Sequence, residues 1–304
     1  MAVLAWAAGI VVVIGLAAAT IWRIGALSQQ PSKRPNSTKP DADMGWEEIQ
    51  FKSGESLLAG WLLCPSDGGT GQEKSPLPTV IIAHGWGSNR SRVLRYLKPL
   101  YDTGYAVFMY DARSHGDSES IKAPSGLMFR EDVLAAVDAA RQLERVDSDR
   151  IAVLGHSLGG FGAVLALAKG LHVRAIVTDS MPIKFETMLR AQLRKSRIPF
   201  FPIGHFIPAI WLLRAGISRA EFREASIPEV LSQYAGNNSS GRTPVLMVHS
   251  IGDDFIPVDD TRKLERQLPP NRIETLFVNS DGHSTSEQDE AFWRKVLPFL
   301  SNHL

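Results

Sequence analysis

The chain has 304 residues, 44% of them hydrophobic and 21% charged, which suits a globular protein with one large, well-buried domain. Lys and Arg number 33 against 32 Asp and Glu, so no long-range field draws it to nucleic acid. A single cysteine, Cys64, excludes an intrachain disulfide and a cysteine metal cluster.

From Ala2 to Trp22 no residue carries a side-chain charge, and the run AVLAWAAGIVVVIGLAAATIW is almost wholly apolar. A helix of that length covers a bilayer core, which needs about 20 residues. Trp6 and Trp22 lie near its ends, and Arg23 marks the water boundary. A cleaved signal peptide would have a basic segment and a shorter core of about 7–15 residues. The expectation is a transmembrane anchor over residues 1–27. Arg23, Lys33, Arg34 and Lys39 all follow the apolar run, which places the rest of the chain in the cytoplasm. Residues 28–44 include QQPSKRPNSTKPDAD, polar and proline-bearing, and are expected to form a flexible tether to a domain over 45–304.

Within that domain, Trp46–Lys52 and Leu57–Leu63 flank Ser53-Gly54-Glu55-Ser56 and predict a hairpin. Ser66–Pro78 reads as a surface loop. Thr79–Ala83 and Tyr105–Tyr110 are buried strands, with a helix over Ser91–Asp102 between them. A helix is expected over Phe129–Val146, a strand at Ile151–Leu154 and a helix at Leu158–Lys169. Further strands fall at Ala175–Thr178, Val245–Val248 and Ile273–Val278, with helices at Thr261–Leu268 and Glu287–Phe299. Short apolar strands alternating with amphipathic helices argue for a mostly parallel sheet covered on both faces. About sixty residues from Ser180 to Gly241 have no obvious strand, so residues 181–241 are expected to be a helical insertion, a lid over the site.

Gly155-His156-Ser157-Leu158-Gly159 sits between a predicted strand and a predicted helix. A serine on so sharp a turn has a strained backbone, and glycines two residues either side avoid collision. Its oxygen then stands at the positive end of the following helix. In this context the sequence resembles the α/β-hydrolase family from about Trp46 onward, with 181–241 as the variable part. Within that family it is most similar to membrane-tethered bacterial hydrolases related to serine aminopeptidases and esterases. The resemblance implies an eight-stranded, mostly parallel sheet with the insertion between the sixth and seventh strands.

It also implies the site. Ser157 would be the nucleophile, and His283, in Ser280-Asp281-Gly282-His283-Ser284, its base. Of the other histidines, His84 and His115 sit in turn motifs, and the His156 side chain is expected to point away. Asp253 aligns as the acid in His249-Ser250-Ile251-Gly252-Asp253-Asp254, with Asp254 as the alternative; Ser250 departs from the glycine common in the family. Oxyanion donors would be the backbone N–H groups of Leu158 and Trp86. The His84-Gly85-Trp86 form is shorter than the glycine run of many lipases. Asp111 and Arg113 are expected to pair and brace loops near the site. A carboxylate nucleophile, as in haloalkane dehalogenases and epoxide hydrolases, is absent from position 157. Hydrolysis of an ester, thioester or amide of a small-molecule acyl substrate is therefore expected, with no metal or organic cofactor implied. An aminopeptidase-like peptidase, an acyltransferase and a non-catalytic binding protein are the alternatives.

Overall fold

The computed structural model describes the chain except residues 66–74, 196, 202 and 238–240. The predicted hairpin is β1 (Trp46–Ser53) and β2 (Ser56–Leu63), turned at Gly54, whose φ is +56°. There follow β3 (Leu77–Ala83), β4 (Ala106–Tyr110), β5 (Val146–His156), β6 (Ala175–Asp179), β7 (Val245–Gly252) and β8 (Glu274–Asp281). They form one eight-stranded sheet in the order β1-β2-β4-β3-β5-β6-β7-β8. Only β2 runs against its neighbours; every pair from β4 to β8 is parallel.

Alternation along the central strands divides the core in two. Ile81, Phe108 and Val153 face one layer and Val80, Ile82, Val107 and Leu154 the other. The first layer holds the helices Gly126–Ala140, Leu158–Leu167, Ile227–Tyr234 and Val258–Gln267; the second holds Leu97–Asp102 and Glu290–Ser301. Strands covered on both faces must be apolar throughout, which is why their short runs are so legible. In chain order the helices are α1 (Ala2–Ser28), α2 (Leu97–Asp102), α3 (Gly126–Ala140), α4 (Leu158–Leu167), α5 (Phe185–Lys195), α6 (Ile203–Ala215), α7 (Arg219–Glu224), α8 (Ile227–Tyr234), α9 (Val258–Gln267) and α10 (Glu290–Ser301).

Three expectations need correction. The helix predicted to reach Val146 ends at Ala140; Leu143 and Val146 keep helical spacing, but Leu143 lies in a turn and Val146 opens β5. Of the loop expected over Ser66–Pro78, residues 66–74 lie outside the described residues, while Leu77 and Pro78 already belong to β3.

The third concerns residues 28–44. In place of a free tether, residues 31–40 lie along the domain as an irregular strap. Pro31 and Pro40 are buried. The Asn36 amide donates to Asp111 (2.7 Å) and Asp117 (2.9 Å), and its oxygen accepts from the Ser91 N–H and hydroxyl. Asn89 donates to the carbonyls of Arg34 and Pro35, both at 3.0 Å. A polar composition licenses flexibility only where nothing satisfies the polar groups, and here the domain satisfies them. Ahead of the strap, α1 is long and apolar enough to cross a membrane, and its most apolar stretch is wholly unburied.

The insertion between β6 and β7 contains α5 to α8, with no named strand among the described residues. Its helices α5 and α6 share a small core of Leu189, Leu193 and Ile207, against which Ile24 of α1 also packs.

Candidate active site

The carboxyl ends of β5, β7 and β8 bring together three side chains far apart in the chain. Ser157 follows β5 directly and caps α4 with φ +52° and ψ −120°, a conformation that L residues rarely adopt. The close approach of strand and helix explains the flanking glycines. A Cβ on Gly155 would lie 2.4 Å from the Gly160 nitrogen, and one on Gly159 would lie 2.1 Å from the Ala83 carbonyl oxygen. Ser157 Oγ is 2.9 Å from His283 Nε2, and His283 Nδ1 is 2.7 Å from Asp253 Oδ2.

Of the two adjacent aspartates, only Asp253 turns inward. Its side chain is fully buried, and Oδ1 accepts the N–H groups of Phe255 and Ile256, each at 2.8 Å. Burial pushes its carboxyl upward, but hydrogen bonds from His249 and His283 and the Ile256 N–H prevail and hold it well below the carboxylate range. Asp254 is exposed; its backbone carbonyl accepts from Arg194 (2.8 Å). Ser250 has a use that glycine lacks: its hydroxyl donates to the Ser280 carbonyl at 2.5 Å and so links the loops that carry Asp253 and His283. Gly282 N–H donates to the Gly252 carbonyl across the same gap.

The Ser157 N–H is already given to the Asp179 carbonyl at 2.8 Å. Leu158 opens α4, so its N–H has no intrahelical acceptor. On the other side, Gly85 presses against the serine: a Cβ there would lie 2.8 Å from Ser157 Cβ. Trp86 follows it and lines the same cavity as Ser157 and Leu158.

Sequence reasoning passed over three histidines that hold this arrangement. His84 bonds the Gly85 carbonyl through Nδ1 and accepts the Ala112 N–H at Nε2. His115 bonds the Arg113 carbonyl through Nδ1 and accepts the Gly87 N–H at Nε2, 3.0 Å away. Trp86 thus sits between two residues pinned by imidazoles that must be neutral to accept. Burial lowers His84 to about 4, and burial together with the neighbouring His84 lowers His115 to about 3. The third, His156, does not point away as expected. Its ring lies 4.9 Å from that of His283, and its Nε2–H donates to the His283 carbonyl at 2.8 Å. The signal for all three was their position at strand ends beside the motifs, where sequence alone gives no ring orientation.

Asp111 and Arg113 do not pair with each other, another correction. Asp111 binds Arg90 (2.8 Å), while Arg113 reaches α3 and binds Asp132 (2.6 Å) and Glu131 (2.5 Å). Both pairs still brace the loop that carries His115.

Ser157 opens into a cavity of about 740 Å³. Trp86, Leu127 and Phe161 line its floor, and Met188, Trp211 and Phe222 of the insertion its roof. Such a volume and lining suit a small ligand with a substantial apolar part.

Residues 80–294 match the sequence profile of the alpha/beta hydrolase family. Among related proteins, YqkD of Bacillus subtilis is 26% identical over 74% of this chain and 71% of its own length. YfhR of Escherichia coli is 25% identical over 72% of this chain and 66% of its own. Esterase YjfP of E. coli is 26% identical over 69% of this chain and 82% of its own. The Pyrococcus furiosus esterase Pf2001 superposes with a TM-score of 0.67 over 90% of this chain and 99% of its own, at 19% identity, which speaks to the fold alone.

Proposed function

This chain belongs to the α/β hydrolase family, and from that premise we propose that it is a serine hydrolase cleaving a carboxylic ester through an acyl-enzyme on Ser157. The observation that carries the reading is the unbroken series from Ser157 Oγ through the His283 ring to Asp253, at 2.9 and 2.7 Å. In the proposed reaction, Ser157 Oγ attacks the carbonyl carbon while His283 Nε2 takes its proton. Asp253 holds Nδ1–H and steadies the imidazolium. The tetrahedral oxyanion is received by the N–H groups of Leu158 and Trp86. His283 then gives its proton to the departing alcohol, and a water activated by the same ring releases the acid and frees Ser157.

We propose further that α1 is a retained membrane anchor, with the domain on the cytoplasmic side. Its apolar run exceeds a signal-peptide core, and Arg23, Lys33, Arg34 and Lys39 follow the span.

Fluorophosphonate labelling of the purified protein tests the nucleophile. Wild type is expected to label and Ser157→Ala not; no labelling of wild type, or equal labelling of both, overturns the reading. p-Nitrophenyl esters of graded chain length, assayed beside aminoacyl amides, test the bond. Best turnover on an aminoacyl amide would replace the esterase by a peptidase.

A further inference from the structure

The anchor helix does not simply leave the domain; its last two turns pack on α6, which lines the cavity through Trp211 and Leu212. Gly25 lies so close to α6 that a Cβ there would meet two carbons of Ile210 at 2.9 Å. The Trp211 indole N–H donates to the Gly25 carbonyl (2.9 Å), Gln29 donates to the Trp211 carbonyl (3.1 Å), and Arg214 donates to the Gln29 side chain (2.9 Å). Ile24 joins the core shared by α5 and α6.

This contact fixes the depth of α6. If the span ends at Trp22, Gly25 lies about 4.5 Å beyond it along the helix axis, at 1.5 Å per residue. The headgroup layer on each side of a bilayer is about 5–7 Å thick, the difference between its full and hydrocarbon thickness. Helix α6 therefore crosses α1 at headgroup depth. Its outer face is largely apolar there: Phe206, Ala209 and Leu213 are all exposed and follow helical spacing, with His205 the one exposed polar side chain among the described residues of α6, and Phe201 just before the helix is 76% exposed. The one arginine of α6, Arg214, is turned inward to Gln29 and the Lys122 carbonyl. A soluble surface does not ordinarily present such a stripe, whereas an interfacial helix does.

The cavity lies beneath this face. Trp211 and Leu212 of α6 and Gln30, Ser32 and Arg34 of the strap line it. Arg34, Arg92 and Arg194, all exposed, line it too and offer charge complementary to an anionic leaflet.

We infer that α6 lies in the headgroup layer as a second membrane contact, and that the site takes an amphiphilic acyl ester from the bilayer. The inference rests on the reading of α1 as a membrane span.

The test uses the full chain in vesicles of phosphatidylcholine and phosphatidylglycerol. In a Cys64→Ser background, single cysteines at Phe206 and Leu213 carry an environment-sensitive fluorophore. Labels at Val12, within the span, and at Asp138, at the far end of α3 from the site, are the references. Lipids with a shallow nitroxide are expected to quench the labels at 206 and 213 about threefold or more above the label at 138. Quenching at 12 by lipids with the nitroxide deep in the acyl chain, without quenching at 206 and 213 by the shallow one, overturns the α6 contact and leaves the anchor standing; no quenching at 12 by the deep nitroxide overturns both. In the same vesicles, Phe206→Glu combined with Leu213→Glu is expected to raise KM for an embedded long-chain ester about tenfold, with hydrolysis of p-nitrophenyl acetate within about twofold of wild type. An equal effect on both substrates, or on neither, overturns the inference.

Discussion

Asp253 and Asp254 leave the same loop, yet only one has the environment for an orienting carboxylate. Asp253 is buried, accepts two backbone N–H groups and touches His283 Nδ1, whereas Asp254 is exposed. Asp253→Asn is therefore expected to lower kcat by about ten-thousandfold through the wrong imidazole tautomer. Asp254→Asn should stay within about threefold; initial rates on one ester decide between them, and a reversed order would make Asp254 the acid. His84 and His115, with the equally buried His156, contribute to the pH response in the same direction. The first two are neutral when folded, near 4 and 3, but titrate near 6.5 in the unfolded chain. Between those limits the unfolded state binds more protons, so stability is complete above about pH 6.5 and falls as pH drops towards 4. The loss is on the order of 1.4 kcal/mol per pH unit for each group. Melting temperatures from pH 7.5 to 4.5 should fall accordingly, and His115→Gln, which keeps an acceptor for Gly87, should flatten the slope. An unchanged slope would show that His115 bears no share. Ser157 was legible because turn glycines at a strand end leave a pattern in sequence, and Asp253 and His283 followed from the family resemblance. The roles of His84, His115 and His156 were not legible, because they depend on which carbonyl or N–H each ring faces.

The strand-to-helix turn at Ser157 leaves its neighbours no room for a side chain. Helix α4 comes so close to β3 that the Gly159 Cα hydrogen already faces the Ala83 carbonyl, and a methyl would sit 2.1 Å from that oxygen. Backbone on both sides cannot yield as a side chain would. Gly159→Ala is expected to cost on the order of 3 kcal/mol or more, or to abolish soluble expression of the fold. Gly9→Ala in α1 meets nothing within 4 Å and is expected to leave the melting temperature unchanged. Thermal denaturation of both variants in detergent checks the pair; a Gly159→Ala protein as stable as Gly9→Ala would refute the close-approach argument. Elements of the parallel sheet were readable because burial on both faces makes each strand an apolar run. The insertion was readable only as an absence of strands. Its α5 and α6 bury their faces on each other and on α1, while α8 joins the main core, a division of packing that the sequence does not display.

At the scale of the whole molecule, the question is what joins the long apolar helix α1 to the domain. Composition pointed to a flexible tether, since proline and small polar residues dominate 29–43. The folded chain instead uses those residues as a strap, with Asn36 satisfying Asp111, Asp117 and Ser91 and two strap carbonyls receiving Asn89. Asp111 in turn anchors Arg90 and the Asp117 N–H, so the strap lies over the loop that leads to His115. Two truncations separate strap from tether. A chain beginning at Ile21 loses the exposed apolar helix but keeps the α6 contact and the strap, and should melt within about 2 °C of the full protein. A chain beginning at Gly45 loses the α6 contact and the strap together; the six hydrogen bonds through Asn36 and Asn89 alone come to on the order of 5 kcal/mol at about 1 kcal/mol each. At about 2–4 °C per kcal/mol for a domain of this size, it should melt at least ~10 °C lower. Equal melting of the two truncated chains would restore the tether, because a docked segment that holds the domain would contribute to its stability. A large gap between them would mean that the segment following α1 is part of the domain. Movement of α1 would then be transmitted to Asp111 and its loop rather than absorbed by slack chain.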